Sequence, residues 1–376
     1  MKIGVVCYPT YGGSGVLATE LGASLASRGH EVHFVSYEPP CRLQGFGTGV
    51  RHHEVQVSTY PLFKYPPYLL SLAGKMAQVA EVEGLDLFHV HYALPHTISA
   101  CIARSVMERR EMPILTTLHG TDITLVGAQP VFLPMVRFAL KDSDGVTAVS
   151  RSLAEETRKT FRYEGEIRVI PNFVDPARFR PGAGEGLEED LAGPGEGVLV
   201  HVSNFRPVKN TVEVIRIFAG VNREVPSRLL MVGDGPDLPF CRDEAERLGV
   251  ARRVRFLAET PQVERYLARG DLFLLPSWKE SFGLTALEAL ASGVPVVASR
   301  VGGLPEVVRH GETGFLLEPG DREGMVGACL ELLRDGEKRR DFGERARRDV
   351  LERFHPDRIV PMYEEVYLEL LQGRRP

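Results

Sequence analysis

Two glutamates eight residues apart, Glu280 and Glu288, are the residues whose type and spacing most clearly allow chemistry. The first follows an apolar strand-like run, Asp271–Pro276, and the second lies in the helix expected next. Phe282–Leu284 is predicted to form the first turn of that helix, where free N–H groups suit a phosphate. Carboxylates on either side accept hydrogen bonds from sugar hydroxyls. The segment therefore favours a sugar-nucleotide site over an ordinary strand-to-helix connection with two exposed glutamates.

Two cations, Arg206 and Lys209, lie three residues apart just after the predicted strand Val198–Val202. An arginine can bind a phosphate through two N–H groups, and a lysine adds a point charge. Their position at a strand end favours binding of a diphosphate, with Ser203 beside them. The alternative is a pair of solvated surface cations, which is the usual environment of these residue types.

A glycine-rich loop, Tyr8–Gly15, follows the first predicted strand and opens a helix. Glycines let a backbone approach a ligand closely, so Gly13 and Ser14 are candidates for contact with a donor phosphate or an acidic acceptor. A turn without a ligand ranks second. A dinucleotide site ranks third, because the spacing is not Gly-x-Gly-x-x-Gly and the second strand ends at Val35-Ser36 without an acidic residue.

His119 stands at the end of the fourth predicted strand, ahead of Gly120. A lone histidine is more often structural than catalytic, but this position favours a role in a site. Thr117 is predicted to point to the same side, because side chains alternate along a strand. Asp122 is predicted either to support His119 or to cap a helix.

Three histidines, His89, His91 and His96, surround the end of the third predicted strand, where Tyr92 is a further candidate site residue. A zinc site ranks low, because no acidic ligand is adjacent and His96 lies beyond a proline. The segment Asp142–Asp144 has the Asp-x-Asp form used by some metal-dependent enzymes, but it precedes a strand, opposite the expected site. The sequence therefore predicts no metal.

The composition narrows the class of protein. Of 376 residues, 43% are hydrophobic and 25% charged, and the net charge is −5. These values are typical of a globular protein and give no reason to expect nucleic acid or an anionic membrane as a partner.

The start of the chain enters a strand directly, and no apolar run is long enough to span a bilayer, so we expect a cytoplasmic location. The five cysteines lack a Cys-x-x-Cys pair, which disfavours a disulfide framework.

Apolar strand-like runs alternate with helical patterns along the whole chain, which predicts an α/β protein with parallel sheets. The predicted strands are Lys2–Cys7, Glu31–Ser36, Leu87–Val90, Ile114–Thr117, Val146–Val149, Val198–Val202, Arg228–Val232, Val254–Phe256, Leu272–Leu275, Pro295–Ala298 and Gly314–Leu316. Each candidate site residue discussed so far falls at or near the carboxyl end of one of them or in the helix that follows, where ligands bind in doubly wound folds.

The chain length favours two domains. The boundary is predicted at Ile170–Pro176, which follows a strand and carries two prolines. This division gives domains at residues 1–170 and 171–355, and a final helical segment at 356–376. We expect the two doubly wound halves to face each other across a cleft.

The paired glutamates and the Arg-x-x-Lys segment resemble the motifs of retaining family-4 glycosyltransferases. The resemblance covers nearly the whole chain, and it is narrowed to one subgroup by further segments: Gly12–Gly15, Phe63–Pro67, Val90–His96, Leu118–Thr124, Val202–Arg206 and Lys279–Gly283. It implies a GT-B architecture of two Rossmann-like domains, with the acceptor in the first, the UDP-sugar in the second and a C-terminal helix crossing back to the first.

The resemblance further implies transfer of N-acetylglucosamine from UDP-N-acetylglucosamine to L-malate, the first step of bacillithiol biosynthesis, with configuration retained and no metal cofactor. Four residues are expected to be catalytic: His119, Arg206, Lys209 and Glu280. The residues expected to bind the UDP-sugar are Gly13, Ser203, Arg206, Lys209, Glu280, Ser281, Phe282, Gly283, Leu284 and Glu288. Those expected to bind the acceptor are Ser14, Lys64, Tyr92, Thr117 and Arg137.

Three other functions are open at this stage. The first is a family-4 transferase with another small polar acceptor, such as inositol phosphate. The second is a UDP-N-acetylglucosamine 2-epimerase, which shares the two-domain architecture. The third is a two-domain sugar-binding protein without catalysis. A homodimer would fit any of the enzymes.

Overall fold

The computed structural model describes residues 1–10, 12–41, 49–57, 64–108, 111–124, 127, 129–187, 191–193 and 195–373. The chain forms two compact units. The first contains Met1–Asn172 together with Pro356–Pro376, and the second contains Phe173–His355.

The first unit is built on a seven-stranded sheet in the order β3-β2-β1-β4-β5-β6-β7, and every paired strand is parallel. Its strands are β1 (Lys2–Val6), β2 (Glu31–Ser36), β3 (Val50–Glu54), β4 (Leu87–His91), β5 (Ile114–Leu118), β6 (Gly145–Ala148) and β7 (Arg168–Val169). Its helices are α1 (Gly13–Ser27), α2 (Tyr68–Glu83), α3 (Ile98–Val106), α4 (Thr121–Thr124), α5 (Leu133–Asp142) and α6 (Arg151–Phe161). The central strands are buried along their whole length, because both faces of a parallel sheet are covered.

The second unit has a six-stranded parallel sheet in the order β10-β9-β8-β11-β12-β13. Its strands are β8 (Gly197–Val202), β9 (Ser227–Val232), β10 (Val254–Leu257), β11 (Leu272–Leu275), β12 (Val296–Ser299) and β13 (Gly314–Leu317). Its helices are α7 (Thr211–Glu224), α8 (Leu238–Arg247), α9 (Val263–Leu267), α10 (Leu284–Ala291), α11 (Leu304–Val307), α12 (Arg322–Arg334) and α13 (Gly336–Arg353).

Both sheets are doubly wound, and in each the strand order reverses at one point. In the first unit the reversal lies between β1 and β4, and in the second it lies between β8 and β11. Loops leaving the carboxyl ends of two such strands diverge and leave a crevice where ligands bind. The strand order therefore identifies two pairs of loops, one pair in each unit, as places where a ligand can bind.

The last helix, α14 (Pro356–Leu371), belongs to the first unit although it follows the second in sequence. Its inward side carries Tyr363 and Tyr367, which are completely buried, alongside aliphatic residues such as Val360 and Val366. The helix therefore contributes part of the core of the first unit.

The helix after β11 begins later than the sequence indicated. Phe282 is not in the first turn: α10 starts at Leu284, and Gly283 before it has a φ of 96°. That left-handed conformation favours glycine. Phe282 is instead buried, with its ring edge-on to Phe354 at 5.8 Å.

The structure also describes the cysteines and the apolar character of the helices. All five cysteines are buried, and none of them forms a disulfide. Among the described residues, no helix is both long enough and apolar enough to cross a bilayer.

Candidate active site

An ion pair joins the two loops at the reversal point of the second sheet. Lys209, after β8, lies with its Nζ 2.6 Å from Oε1 of Glu280, after β11. The Ser277 hydroxyl donates to the same carboxylate oxygen at 3.0 Å. The Glu280 side chain is only 8% exposed and that of Lys209 22%, so both charges are held in a partly dehydrated place.

Hydrogen bonds to backbone carbonyls hold these loops together. The side-chain amide of Asn210 donates to the Pro276 carbonyl at 3.2 Å, and the Trp278 N–H donates to the Val208 carbonyl at 2.9 Å. Ser203 accepts from the Phe205 N–H at 3.3 Å. The predicted donor-site residues Ser203, Lys209 and Glu280 are therefore set on a rigid frame.

Arg206 projects from the same loop as Lys209 but is exposed. Within the described part of the chain, no hydrogen bond or ion pair of its guanidinium is found. An exposed guanidinium beside the Lys209–Glu280 pair can bind an incoming phosphate without first breaking another contact.

The loop after β12 fixes the backbone of Glu280. The Gly303 N–H donates to the Glu280 carbonyl at 3.0 Å. At Gly302 a Cβ atom would lie 1.7 Å from that same carbonyl oxygen, and the φ of 52° is left-handed. Only glycine allows so close an approach at position 302. Together with the Lys209–Glu280 ion pair, this contact brings the loops after β8, β11 and β12 together.

The amino end of α10 adds N–H groups to this surface. Ser281, Gly283 and Leu284 lie at the start of the helix, and Glu288 lies one turn inside it with 4% exposure. A nearly buried glutamate on a helix differs from the solvated residue that an ordinary connection would carry. The second unit thus combines cations, a helix start and two shielded carboxylates.

In the first unit, two predicted acceptor residues meet at the reversal point of the sheet. The Ser14 hydroxyl, in the first turn of α1, donates to the Tyr92 hydroxyl, after β4, at 2.8 Å. Gly13 begins the same helix and is exposed. The Tyr8 ring lies 5.6 Å from the Tyr92 ring. Burial raises the pKa of Tyr92 to about 12, so its hydroxyl stays protonated at neutral pH.

His119 lies beside this pair, with its ring 5.3 Å from that of Tyr92. Its Nε2 lies 2.8 Å from Nδ1 of the buried His91. Burial, followed by repulsion from His96, lowers the pKa of His119 to about 3. The imidazole is therefore neutral at physiological pH and suited to hydrogen bonding rather than to carrying charge.

Asp122 fastens the loops that carry Tyr92 and His119. Its carboxylate accepts from the Ala93 N–H at 2.9 Å and from the Gly120 N–H at 3.0 Å. Burial raises its pKa to about 6, although these backbone donors oppose the rise. Asp122 therefore holds the backbone of the loops that carry Tyr92 and His119. This contact favours the predicted support of His119 over a helix cap.

Two predicted acceptor residues are corrected by their positions. Thr117 is fully buried, and its hydroxyl is 2.7 Å from His89 Nε2 and 2.6 Å from the Thr147 hydroxyl. Arg137 donates through Nε to the Phe161 carbonyl at 3.0 Å, at the end of α6. Because α6 runs away from the carboxyl edge of the sheet, this contact lies at the opposite edge. Thr117 therefore has no exposed surface, and Arg137 is held away from Ser14 and Tyr92.

Lys64 is exposed, and its Nζ lies 5.6 Å from the centre of the Tyr65 ring. Residues 58–63, directly before it, lie outside the described residues. Lys64 therefore stays a prediction.

Sequence reasoning missed Ser277 and the part played by His91. A polar residue directly after an apolar strand was a usable signal for Ser277. His91 was considered only as a metal ligand, and its pairing with His119 needs the register of β4 and β5, in which His91 is opposite Thr117.

Comparisons with known proteins agree with this geometry. The family model described as Glycosyltransferase Family 4 matches residues 11–178, and the one described as Glycosyl transferases group 1 matches residues 188–349. A protein of Bacillus anthracis named N-acetyl-alpha-D-glucosaminyl L-malate synthase is 46% identical over 373 residues, covering 99% of this chain and 98% of that protein. The chain belongs to the family-4 glycosyltransferases.

Other similar proteins are more distant. A D-inositol 3-phosphate glycosyltransferase of Nocardia farcinica is 31% identical, covering 89% of this family-4 glycosyltransferase and 80% of the relative. Sucrose-phosphate synthase from Thermosynechococcus elongatus has the same fold, with a TM-score of 0.81, 24% identity and coverage of 99% and 100% of the two chains. The predictions of the family, the GT-B fold class and hexosyltransferase activity are confirmed.

Proposed function

We propose that this glycosyltransferase moves N-acetylglucosamine from UDP-N-acetylglucosamine to the hydroxyl of L-malate, as the first step of bacillithiol biosynthesis. The observation that carries the proposal is the 46% identity, over nearly the full length of both chains, to the relative named for the malate product. The chemistry of the two loop pairs supports it.

The second unit binds the donor in this proposal. Arg206 and Lys209 bind the diphosphate, together with the N–H groups at the start of α10 and the Ser203 hydroxyl. Glu280 accepts from hydroxyls of the donor sugar, and Glu288 accepts from the ribose. The ion pair between Lys209 and Glu280 supports these roles, since an ammonium has three N–H donors and can hold carboxylate and phosphate together.

The first unit binds the acceptor. Ser14 and Tyr92 supply hydroxyl donors to a malate carboxylate, Lys64 supplies a cation, and Gly13 contacts the donor phosphate. His119 contacts the donor sugar. Its lowered pKa makes it a weak base, which favours an orienting role over proton abstraction.

The reaction proceeds on one face of the sugar in this proposal. The bond from the anomeric carbon to the phosphate oxygen breaks, and a bond from that carbon to the malate oxygen forms on the same side. The malate hydroxyl proton passes to the departing phosphate oxygen. Arg206 and Lys209 stabilise the negative charge that develops on UDP, so the mechanism requires no metal.

The test is UDP release from UDP-N-acetylglucosamine with and without L-malate, in buffer containing EDTA. The proposal expects malate-dependent release and an α-linked product. Release with an inositol phosphate but not with malate would favour the acceptor class of the Nocardia farcinica relative. Conversion of the donor sugar without an acceptor would indicate an epimerase. A homodimer and a cytoplasmic location stay predictions.

A further inference from the structure

A second group of polar side chains lies at the outer edge of the first sheet, away from the loops of the proposed reaction. It consists of His33 on β2, His53 on β3 and Glu83 at the end of α2. One nitrogen or oxygen from each lies within 4.8 Å of the other two. His33 Nδ1 and His53 Nε2 are 2.9 Å apart, and the two rings stack at 5.2 Å.

The other nitrogen of His33 faces a carboxylate. His33 is fully buried, and its Nε2 lies 3.2 Å from Oε1 of Glu31. A carboxylate at this distance favours a proton on Nε2, and in that tautomer the Nδ1 lone pair is directed at His53. Pairs of this kind orient histidines that ligate metals.

We propose that His33, His53 and Glu83 form a binding site for a zinc-like divalent ion that fastens the edge strand β3 to β2 and α2. Two imidazole nitrogens and a carboxylate are a common zinc ligand set, with water as the fourth ligand. Zinc bonds of about 2.0–2.2 Å place ligand atoms roughly 3.3–3.6 Å apart. The His33–His53 pair needs to open by only about half an ångström, and the proton between the two nitrogens leaves to solvent.

Arg51 competes with the ion. Its guanidinium lies 2.6 Å from a Glu83 oxygen and 3.2 Å from Glu31 Oε1. The side chain is 57% exposed, so it can swing into solvent when a metal takes the Glu83 carboxylate. Removing this charge should strengthen metal binding, a change that a simple histidine pair in the core would not produce.

The experiment is a titration of the EDTA-treated full-length protein with Co²⁺, followed by displacement with Zn²⁺. We expect one equivalent of Co²⁺ with the visible spectrum of a tetrahedral site, and a rise in melting temperature with Zn²⁺. His53→Gln and Glu83→Gln should each weaken binding about 100-fold. Arg51→Gln should tighten it about tenfold.

The matched control is His52→Gln, which removes the neighbouring histidine of β3. His52 lies outside the cluster, and its Nε2 is 3.1 Å from the Ser36 hydroxyl. This variant should bind metal as the wild type does. The absence of stoichiometric binding to the wild type, or wild-type affinity in both His53→Gln and Glu83→Gln, overturns the proposal. If His53→Gln fails to fold, Glu83→Gln alone decides. Since glycosyl transfer is assayed in EDTA, failure of either proposal is recognised separately.

Discussion

At the scale of single residues, the ion pair between Lys209 and Glu280 favours the proposed donor site over a solvated surface patch. Solvated surface ion pairs contribute little to stability. A pair with 22% and 8% exposure at a strand end is more informative, since charges kept from water bind a ligand more strongly. The sequence predicted both residues but assigned them to different ligand groups, because their contact depends on how two loops 71 residues apart meet.

Replacing Lys209 with Met should lower kcat for UDP release about 10²–10³-fold, because one cation facing the developing charge is lost. Steady-state rates at saturating donor and malate measure this. Lys279→Met is the matched control, since Lys279 is exposed beside Glu280, and its kcat should change little. Equal losses in both variants would contradict the role given to Lys209.

The proposed acceptor role of Lys64 can be tested by a similar comparison of two variants. Lys64→Ala should raise the KM for malate about tenfold or more, because a charge-assisted hydrogen bond contributes about 1.5–3 kcal/mol, and leave the KM for UDP-N-acetylglucosamine nearly unchanged. Arg137→Ala removes a cation from the same unit at the opposite edge of the sheet and should alter neither constant. A rise in the malate KM for Arg137→Ala alone would reverse our correction.

Residue-level reasoning could not tell a buried side chain from an accessible one. Thr117 was placed with His119 because alternate side chains share a face of a strand. Both do lie on one side, since Thr117 contacts His89, His119 contacts His91, and the His89 and His91 rings stack, but Thr117 is fully buried. The cluster of His33, His53 and Glu83 could not be predicted for another reason. Its members are 20 and 30 residues apart, and they meet only through the pairing of β2 with β3 and the position of the end of α2.

At the scale of elements, the sequence predicted eleven strands that the structure contains, because apolar runs mark strands buried on both faces. It missed β3 and β7. The sequence of β3, Val-Arg-His-His-Glu, has a single apolar residue, as suits an edge strand with an exposed side. The two residues of β7 are too few to form a pattern.

A hydrogen-bonded chain links α14 to the sheet beneath the acceptor loops. Tyr367 lies with its hydroxyl 2.7 Å from His89 Nδ1, and His89 Nε2 continues to Thr117. The His89 ring stacks on His91 at 4.4 Å, which in turn contacts His119. Side chains of the last helix therefore connect through three histidines to the proposed site.

Tyr367→Phe should destabilise the first unit by about 1–3 kcal/mol, because it leaves a buried imidazole nitrogen without its partner. Thermal or urea unfolding of the full chain measures the loss. Leu368→Ala, at a 51% exposed position of the same helix, should stay within about 0.5 kcal/mol of the wild type. A loss in Leu368→Ala as large as that in Tyr367→Phe would mean that the tyrosine hydroxyl is not the cause.

At the scale of the whole molecule, the two units differ in how the chain builds them. The second is one continuous stretch, Phe173–His355, whereas the first needs both ends of the chain. The sequence predicted a terminal helix at 356–376 but did not single out Tyr363 and Tyr367. An amphipathic pattern treats tyrosine as a surface residue, and the hydrogen bond that the buried Tyr367 makes with His89 is visible only in the structure.

A chain ending at His355 should retain a folded second unit and lose the first. In the native protein, α14 covers the core of the first unit with buried side chains such as Ile359, Val366 and Leu370. The truncation removes these side chains and exposes the core beneath them. Hydrogen exchange read by mass spectrometry should show fast exchange across β1, β4 and β5, with protection kept in β8 and β11. Protection of the first sheet equal to that in the full chain would contradict this dependence.

The position of α14 also sets an order of events during synthesis. The first 172 residues leave the ribosome well before the helix that completes their core. At about 5–20 residues per second, the remaining 204 residues (376 less 172) take roughly 10–40 s to be made. The second unit is made during this interval and ends at His355, so the first unit lacks α14 until the second has been synthesised. The sequence of the proposed nucleotide-binding half is therefore complete before that of the proposed acceptor-binding half, the reverse of the order in which the two halves begin.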